Sequence, residues 1–498
     1  MTYRELVHRV AALVLLAGSL AVVTTESAIA ATAPTSEERL LAGHLLRRAG
    51  FGPSPKDMNK VLKKGTAHWI EQQLDPTRIG DAALEGLLPG LPKDPEADSE
   101  RIRRWYVRMA YSSRQLQEKM TLIWHEHFAV SNEKVRSGIL MQDDENFLRK
   151  NTLGNFRDLL VGVTRDQAML VWLDNDGNSG NGDEPPNENY AREFLQLFTM
   201  GTRQLHADGT VVTDGGGNPV AAYAEQDVRE ISRALTGFAA PWPRKTNNTR
   251  FDEWRHDAGA KNFLGTTIPG RAGEDGATEV DDVVDAVLSQ RRDTVAGFIA
   301  TMLIGKLATE TPSAQYVQFV AGALRDSDWS IQEAVRAILT HPEFVSAAVV
   351  RSQIREPAEQ FVGAIRGLSG HTDGATLVEW SYNAGQLVWY PPSVFSFYPP
   401  GQRRVLLDTA YVIERDRMAD EFVRADKGTW FDAAKLIRKN KLTTPDQAVD
   451  YLADALLAAP LQSDVRAAIV TYMAGEVSED KVKGAAWLIL CSPDFQKN

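Results

Sequence analysis

Apolar residues recur at helical spacing through most of the chain. After Thr444-Pro445-Asp446-Gln447, the residues Val449, Leu452, Leu456 and Leu457 fall on one face. The opening tetrapeptide reads as a capping box with proline at the first helical position. Ser54-Pro55-Lys56-Asp57 repeats the device with a serine N-cap, and Gly65 is a suitable stop. Thr311-Pro312 opens another helix, with Val317, Val320, Ala321 and Leu324 along one side. The longest candidate starts at the Ser99 cap and runs to about Phe128. The pattern predicts roughly fifteen to twenty helices and few strands, an all-α fold built as a large multi-helix array.

One segment departs from this. Thr202-Arg203-Gln204-Leu205-His206 and Thr210-Val211-Val212-Thr213 flank Asp208-Gly209, and Gly215-Gly216-Gly217-Asn218 gives a second turn, so a small β-hairpin is predicted within 202–222. Two stretches, 174–186 and 238–276, are rich in Gly, Asn, Asp and Pro and read as loops. A boundary at 367–374 divides a main helical part, 31–370, from a C-terminal helical part, 371–498.

The first thirty residues read differently. Arg4 and Arg9 precede an uncharged apolar run, 11–23, and Ser27-Ala28-Ile29-Ala30 offers the small residues that a signal peptidase reads. This predicts a secretory signal cleaved after Ala30; the competing reading is an uncleaved N-terminal anchor. No later stretch approaches the roughly 20 apolar residues of a membrane span, so the mature chain is expected outside the cytoplasm, secreted or in the cell envelope, with no stable span. With 55 Lys and Arg against 66 Asp and Glu, the net charge of -11 and the lack of a basic cluster argue against a nucleic-acid partner. Cys491 is the sole cysteine, so no internal disulfide forms and stability must come from core burial.

Candidate chemistry concentrates in three places. In Trp124-His125-Glu126-His127-Phe128 the two histidines are two residues apart and therefore point about 200° from each other on a helix. His127 falls in line with Leu116, Met120, Ile123 and Trp124, either as a hydrogen-bonded core residue or as a metal ligand; His125 points the other way. In the helix that opens at Asn187-Glu188-Asn189, Glu193 lies at the edge of an apolar face made by Tyr190, Phe194, Leu197 and Phe198. Burial against aromatics raises a carboxyl pKa, which makes a general acid, a metal ligand or one half of a buried pair. Glu188 and Arg192, four apart, are expected to pair on the surface. His256-Asp257, in the second loop, reads as two further ligands or as a turn in which Asp257 bonds its own backbone.

Other signals are weaker. Asp174-Asn175-Asp176-Gly177-Asn178 begins like a calcium loop, but Ser179 stands where glycine is needed and Pro185 where glutamate is. No Gly-x-Ser-x-Gly, His-Glu-x-x-His or P-loop pattern occurs, and Cys491 sits in an apolar helix end. Trp380, Tyr382, Trp389-Tyr390-Pro391-Pro392 and 395–400 interleave aromatics with prolines, as a sugar- or peptide-binding platform would, or as an extended segment packed on the core would.

Together with His44-Leu45-Leu46-Arg47-Arg48-Ala49-Gly50-Phe51-Gly52-Pro53, Glu225-Gln226-Asp227-Val228, Arg233-Ala234-Leu235-Thr236-Gly237, Lys261-Asn262-Phe263-Leu264-Gly265 and Ser492-Pro493-Asp494-Phe495, the 124–128 and 187–201 blocks resemble the bacterial domain-of-unknown-function family 1800. Departures fall in the second half, where Arg291-Arg292 replaces a usual His-Pro and Ser396-Phe397-Tyr398-Pro399-Pro400-Gly401 replaces a Gly-Trp-Pro-Gly-like segment. The resemblance implies a secreted α-helical protein, often encoded beside a second exported protein that is a possible partner, and it implies no cofactor. Two expectations follow from the residues. One is a metal-dependent hydrolase with His127, Glu193, His256 and Asp257 around a divalent ion and Glu193, His125 and Arg192 in catalysis. The other is a non-catalytic scaffold, or a polysaccharide- or protein-binding protein, in which the same groups join helices.

Overall fold

The computed structural model describes residues 34–90, 97–244, 248–398 and 401–498. The predicted signal segment lies outside these residues, as do Pro399 and Pro400. Among the described residues there are 23 helices, 61% of the chain, and two two-stranded antiparallel sheets. The fold is all-α with a small β insertion. No described helix is long and apolar enough to cross a membrane.

Helices outnumber the sequence expectation because long apolar patterns are cut by distant side chains. The 99–128 pattern forms two helices, Asp98–Tyr111 and Gln115–Phe128. Asp81 accepts hydrogen bonds from Ser112 Oγ at 2.6 Å and Ser113 N at 2.7 Å, and Gln73 Oε1 accepts from Leu116 N, so groups some forty residues away cap the break. The β insertion also lies partly elsewhere than expected. Residues 202–222 form three isolated antiparallel bridges, Arg203 to Ala221, Leu205 to Val211 and Thr213 to Pro219, with Gly209 at φ 79° in the Asp-Gly turn. The two paired sheets, Phe238–Ala239 with Arg250–Phe251 and Lys261–Phe263 with Thr266–Ile268, sit in the stretch read as loop.

One hydrophobic core runs from Ala42 to Phe495, across the 367–374 boundary. Two helices lie deep within it. Every residue of Pro357–Gly367 is buried, and only Gln117 and His127 of Gln115–Phe128 reach partial exposure. Charged residues on such helices must find partners inside the protein, because leaving them unpaired costs several kcal/mol. The first helix, Ser36–Arg48, delivers two such groups: Arg47 Nη1 donates to Leu457 O at 2.8 Å, and Arg48 donates to Leu307 O at 3.1 Å and Lys306 O at 2.8 Å. Buried guanidiniums thereby close the C-terminal ends of Pro445–Leu457 and Arg292–Leu307, where backbone carbonyls lack helical donors.

Candidate functional site

The predicted 187–201 helix changes pitch. Asn189–Glu193 is α-helical and Phe194–Thr199 is π-helical, with Met200 N and Thr199 Oγ1 donating to carbonyls five residues back. Wider turns of this kind recur at functional sites. The Phe198 carbonyl, left without a helical donor, accepts from His127 Nε2 at 3.0 Å. Since a carbonyl only accepts, Nε2 carries the proton and Nδ1 is the acceptor nitrogen. Burial holds the His127 pKa down to about 4, so the ring is neutral at pH 7.

His127 helps line a cavity of about 340 Å³. Its walls are mainly apolar, from Ile123, Leu197, Leu205, Phe298, Met302 and Val394. Its polar part is a chain of charges of alternating sign. Lys306 Nζ lies 2.5 Å from Glu126 Oε2 and 3.2 Å from Glu356 Oε1; Arg403 reaches Glu356 Oε1 at 2.8 Å and Glu310 Oε1 at 3.3 Å. Gln386 Nε2 bridges Glu126 Oε1 at 2.9 Å and Glu356 Oε2 at 2.8 Å. Desolvation, then repulsion from Glu356, outweigh Lys306 and lift the Glu126 pKa to about 7. Burial would raise Glu356 too, yet Lys306 and Arg403 hold it well below the usual carboxylate range. A buried carboxyl that exchanges its proton near neutrality, beside an ammonium and at the wall of an apolar cavity, suits proton transfer. Two other hollows, about 370 Å³ beside Arg103 and Glu379 and about 300 Å³ beside Asp57 and Arg366, line their walls with arginines already paired to carboxylates.

The residues expected from sequence are not brought together. His125 is fully inside the core: its Nε2 accepts from Trp389 N at 3.0 Å, and Trp105 packs edge-on against it. It holds a backbone segment and does not line the cavity. The two histidines do diverge as helical geometry requires, but the helix is central, so both sides are buried. Arg192 is half-exposed, paired with Glu188 at 3.1 Å and Glu225 at 2.8 Å. Glu193 is half-buried and absent from the cavity wall; its Oε2 is buried without a hydrogen-bond partner, and desolvation raises its pKa. Replacing Glu193 by Gln is therefore expected to leave the melting temperature unchanged or raise it. A fall of several degrees in a thermal melt would reveal a partner that the carboxylate serves.

His256 and Asp257 belong to a separate structural cluster. Asp257 accepts from Arg233 Nε at 2.6 Å; hydrogen bonds from Arg233 and Gly259 overcome burial and hold its pKa below the ordinary value. His256 Nδ1 donates to Thr236 O at 3.1 Å. Its Nε2 lies 3.3 Å from Glu279 Oε1, off the line of a hydrogen bond. Lys261 Nζ sits 2.5 Å from Glu279 Oε2. The expected metal set is thus dispersed, with His127 on the cavity wall, Glu193 off it and His256 and Asp257 in their own cluster, and among the described residues no three His, Cys, Asp or Glu side chains converge for a metal ion. At the cavity, Lys306 and Arg403 already face the carboxylates of Glu126, Glu356 and Glu310.

The family described as Protein of unknown function (DUF1800) matches residues 44–497. The chain belongs to that family. No curated protein and no solved structure matches it. The DUF1800 motif residues now have physical roles: His44-Leu45-Leu46-Arg47-Arg48 supplies the helix-end guanidiniums, one of them on the carbonyl of Lys306, and the 187–201 block supplies the π-helix against His127. The calcium-like loop has its carboxylates taken, Asp174 by Lys134 at 2.6 Å and Asp176 by Arg244 at 2.9 Å. Cys491 Sγ lies 3.0 Å from Asp416 Oδ1, and burial raises its pKa, which removes thiolate reactivity. Trp380 and Trp389 are buried, with indole N–H groups donating to Glu421 at 2.6 Å and Glu145 at 3.1 Å, so they form core and not a platform. Sequence reasoning passed over Glu126, Lys306, Glu356, Gln386 and Arg403. The available signal was a charge inside an otherwise apolar pattern: Glu126 between the two histidines, and Lys306 ending Ile304-Gly305-Lys306.

Proposed function

We propose that this DUF1800 chain is an exported enzyme, a hydrolase of small and largely apolar esters or amides, whose site is the 340 Å³ cavity. Export is supported by the basic, apolar and small-residue order of the first thirty residues. The observation that carries the reaction is Glu126, a buried carboxyl with a pKa of about 7 in the cavity wall, 2.5 Å from the Lys306 ammonium. In this reading Glu126 removes a proton from an attacking water and returns it to the leaving group, and Lys306 faces the negative charge that develops on the carbonyl oxygen. This step needs no metal, since each carboxylate lining the cavity faces Lys306 or Arg403.

Turnover of a panel of p-nitrophenyl esters between pH 5 and 9 tests this. The rate is expected to follow one ionisation near 7, to survive a chelator, and to fall by about 10²–10⁴-fold in Glu126→Gln. An unchanged rate in that variant sinks the assignment. The scaffold reading is favoured by one observation, the number of helices the same ion network joins, and it predicts that Glu126→Gln alters stability alone.

A further inference from the structure

Of the 11 tryptophans, Trp242 and Trp254 face solvent, at 82% and 66% exposed, and the others are buried or half-buried. Leaving a whole indole in water is unfavourable. Neither belongs to a run of exposed apolar residues: among the described residues, no other large apolar side chain between Leu87 and Val345 is exposed. Their surroundings are polar. Asn181 Nδ2 donates to Trp254 O at 2.9 Å, and the exposed side chains of Asp183 and Glu184 follow on the same loop. Trp254 sits in the short helix Glu253–Arg255, which packs against Gly273–Thr278 and the exposed Glu274 and Asp275.

Both indoles are held in place by arginines. The Arg244 guanidinium lies over the Trp242 ring, 5.8 Å from its centroid, and that of Arg255 over the Trp254 ring at 4.6 Å. Consecutive residues of one loop fix the two arginines in turn: Arg244 Nη2 pairs with Asp176 Oδ2 at 2.9 Å, and Arg255 Nη1 donates to Gly177 O at 2.7 Å. The backbone between them is tied as well, since Ala240 N donates to Asp176 Oδ1 at 2.7 Å and Gly177 N to Phe238 O at 2.8 Å. A side chain at Gly177 would collide with Arg255 and be strained at φ 72°. This gives the calcium-like stretch 174–178 a role without an ion: it anchors two aromatic platforms. Trp242 follows one strand of the antiparallel Phe238–Ala239 and Arg250–Phe251 pair and Trp254 follows the other, so they leave the pair at opposite ends.

We propose that Trp242 and Trp254 form a binding site for a neutral polysaccharide chain, separate from the cavity and independent of the hydrolytic reading. A sugar ring offers a face of C–H groups that meets the negative face of an indole, and a rim of hydroxyls that suits amides and carboxylates. A membrane or an apolar protein surface would call for further exposed apolar residues around the indoles. Neutrality follows from Asp183, Glu184, Glu253, Glu274 and Asp275, which repel uronate or sulfate polymers and the phosphates of nucleic acid. Two platforms on one anchor suit a chain of rings better than a single ring. Bracing before the ligand arrives lowers the entropy lost on binding.

The test titrates cellohexaose, chitohexaose and maltohexaose, and the matching disaccharides, into the full chain by calorimetry. Hexagalacturonate and phosphatidylcholine vesicles are the anionic and lipid probes. At least one neutral hexasaccharide is expected to bind at least about tenfold more tightly than its disaccharide, and Trp242→Ala and Trp254→Ala should each weaken it by at least about tenfold. Trp254→Tyr should retain most of the affinity. Both alanine variants should melt like the wild type, because the side chains are exposed, and should turn over p-nitrophenyl esters at the wild-type rate, because neither lines the cavity. The proposal is overturned if none of the three hexasaccharides binds, if either alanine variant binds as tightly as the wild type, or if hexagalacturonate is preferred. Tryptophan-dependent retention on the vesicles, with no hexasaccharide bound, would make this a lipid-surface contact and overturn it equally.

Discussion

Replacing Glu356 by leucine is expected to destabilise the fold by about 3–5 kcal/mol, the usual consequence of removing one member of a buried ionic network. The Glu356 side chain is 3% exposed and faces Lys306, Arg403 and Gln386 at 3.2, 2.8 and 2.8 Å. Leucine fills the space but leaves Arg403 with one carboxylate, Glu310, at 3.3 Å and partly in solvent, beside the neutral Gln353 Oε1 at 2.8 Å. Urea unfolding measures the loss. Glu356→Gln separates charge from shape, because the amide keeps the volume and a carbonyl acceptor. Its diagnostic effect is on Glu126. Repulsion from Glu356 is one of the two causes that raise that carboxyl, so its removal must lower the Glu126 pKa below about 7. The pH profile of turnover should shift to the acid side, and an alkaline shift or none would remove Glu356 from the account of that proton.

Acid should destabilise the protein through three neutral, buried histidines. Burial is the first cause in each: it lowers the pKa of His44 and His125 from 6.5 to about 3 and that of His127 to about 4. Arg48 and Arg47 add to the effect at His44. A depressed folded-state pKa contributes stability that is present above the unfolded value of 6.5 and is lost as pH falls toward the folded one, here across the window from 6.5 down to 3–4. Each histidine contributes a slope of up to about 1.4 kcal/mol per pH unit inside that window. Glu126, Asp144 and Glu145, raised by burial, pull the other way, so the measurement is a difference between variants. His125 is the choice, because its Nε2 must stay unprotonated to accept from Trp389 N. In His125→Gln the amide oxygen can still accept, and the fall of unfolding free energy between pH 6 and 4 should be shallower by about 1.4 kcal/mol per unit. An identical slope would mean that His125 charges in the native state.

The parts of the fold set by neighbours in sequence were legible. Thr444 and Ser54 do cap the helices Pro445–Leu457 and Pro55–Lys64, and Glu188 does pair with Arg192, because caps and four-residue spacings are local. The break at Ser112 was not legible, since Asp81 makes it from far along the chain. The 261–268 hairpin was hidden within a longer stretch, 238–276, whose Gly, Asn, Asp and Pro read as loop; Asp227 and Glu230, on a separate helix, accept from its Leu264 and Asn262 amides. For the site, the sequence pointed at the right pentapeptide and the wrong members. His127 reaches the cavity, but the deciding group is Glu126, and its partners Lys306, Glu356 and Arg403 lie 180 or more positions further on. Glu193 and Asp257 drew attention by context, whereas the fold gives one no partner on its buried oxygen and the other a permanent arginine.

The arginines at the end of Ser36–Arg48 also bear on how the chain reaches its native state. Arg48 meets Lys306 and Leu307 across 258 and 259 positions, and Arg47 meets Leu457 across 410. Those guanidiniums belong to the segment synthesised early, while the carbonyls they close are synthesised hundreds of residues later. Until then two cations and the apolar residues around them stay in water, and the end of the helix that carries Lys306 stays open. Contacts between such distant positions make folding slow and populate partly assembled states with exposed apolar surface. A chain that leaves the cytoplasm before this closure would travel with its site unfinished, and the cavity would first exist at its destination.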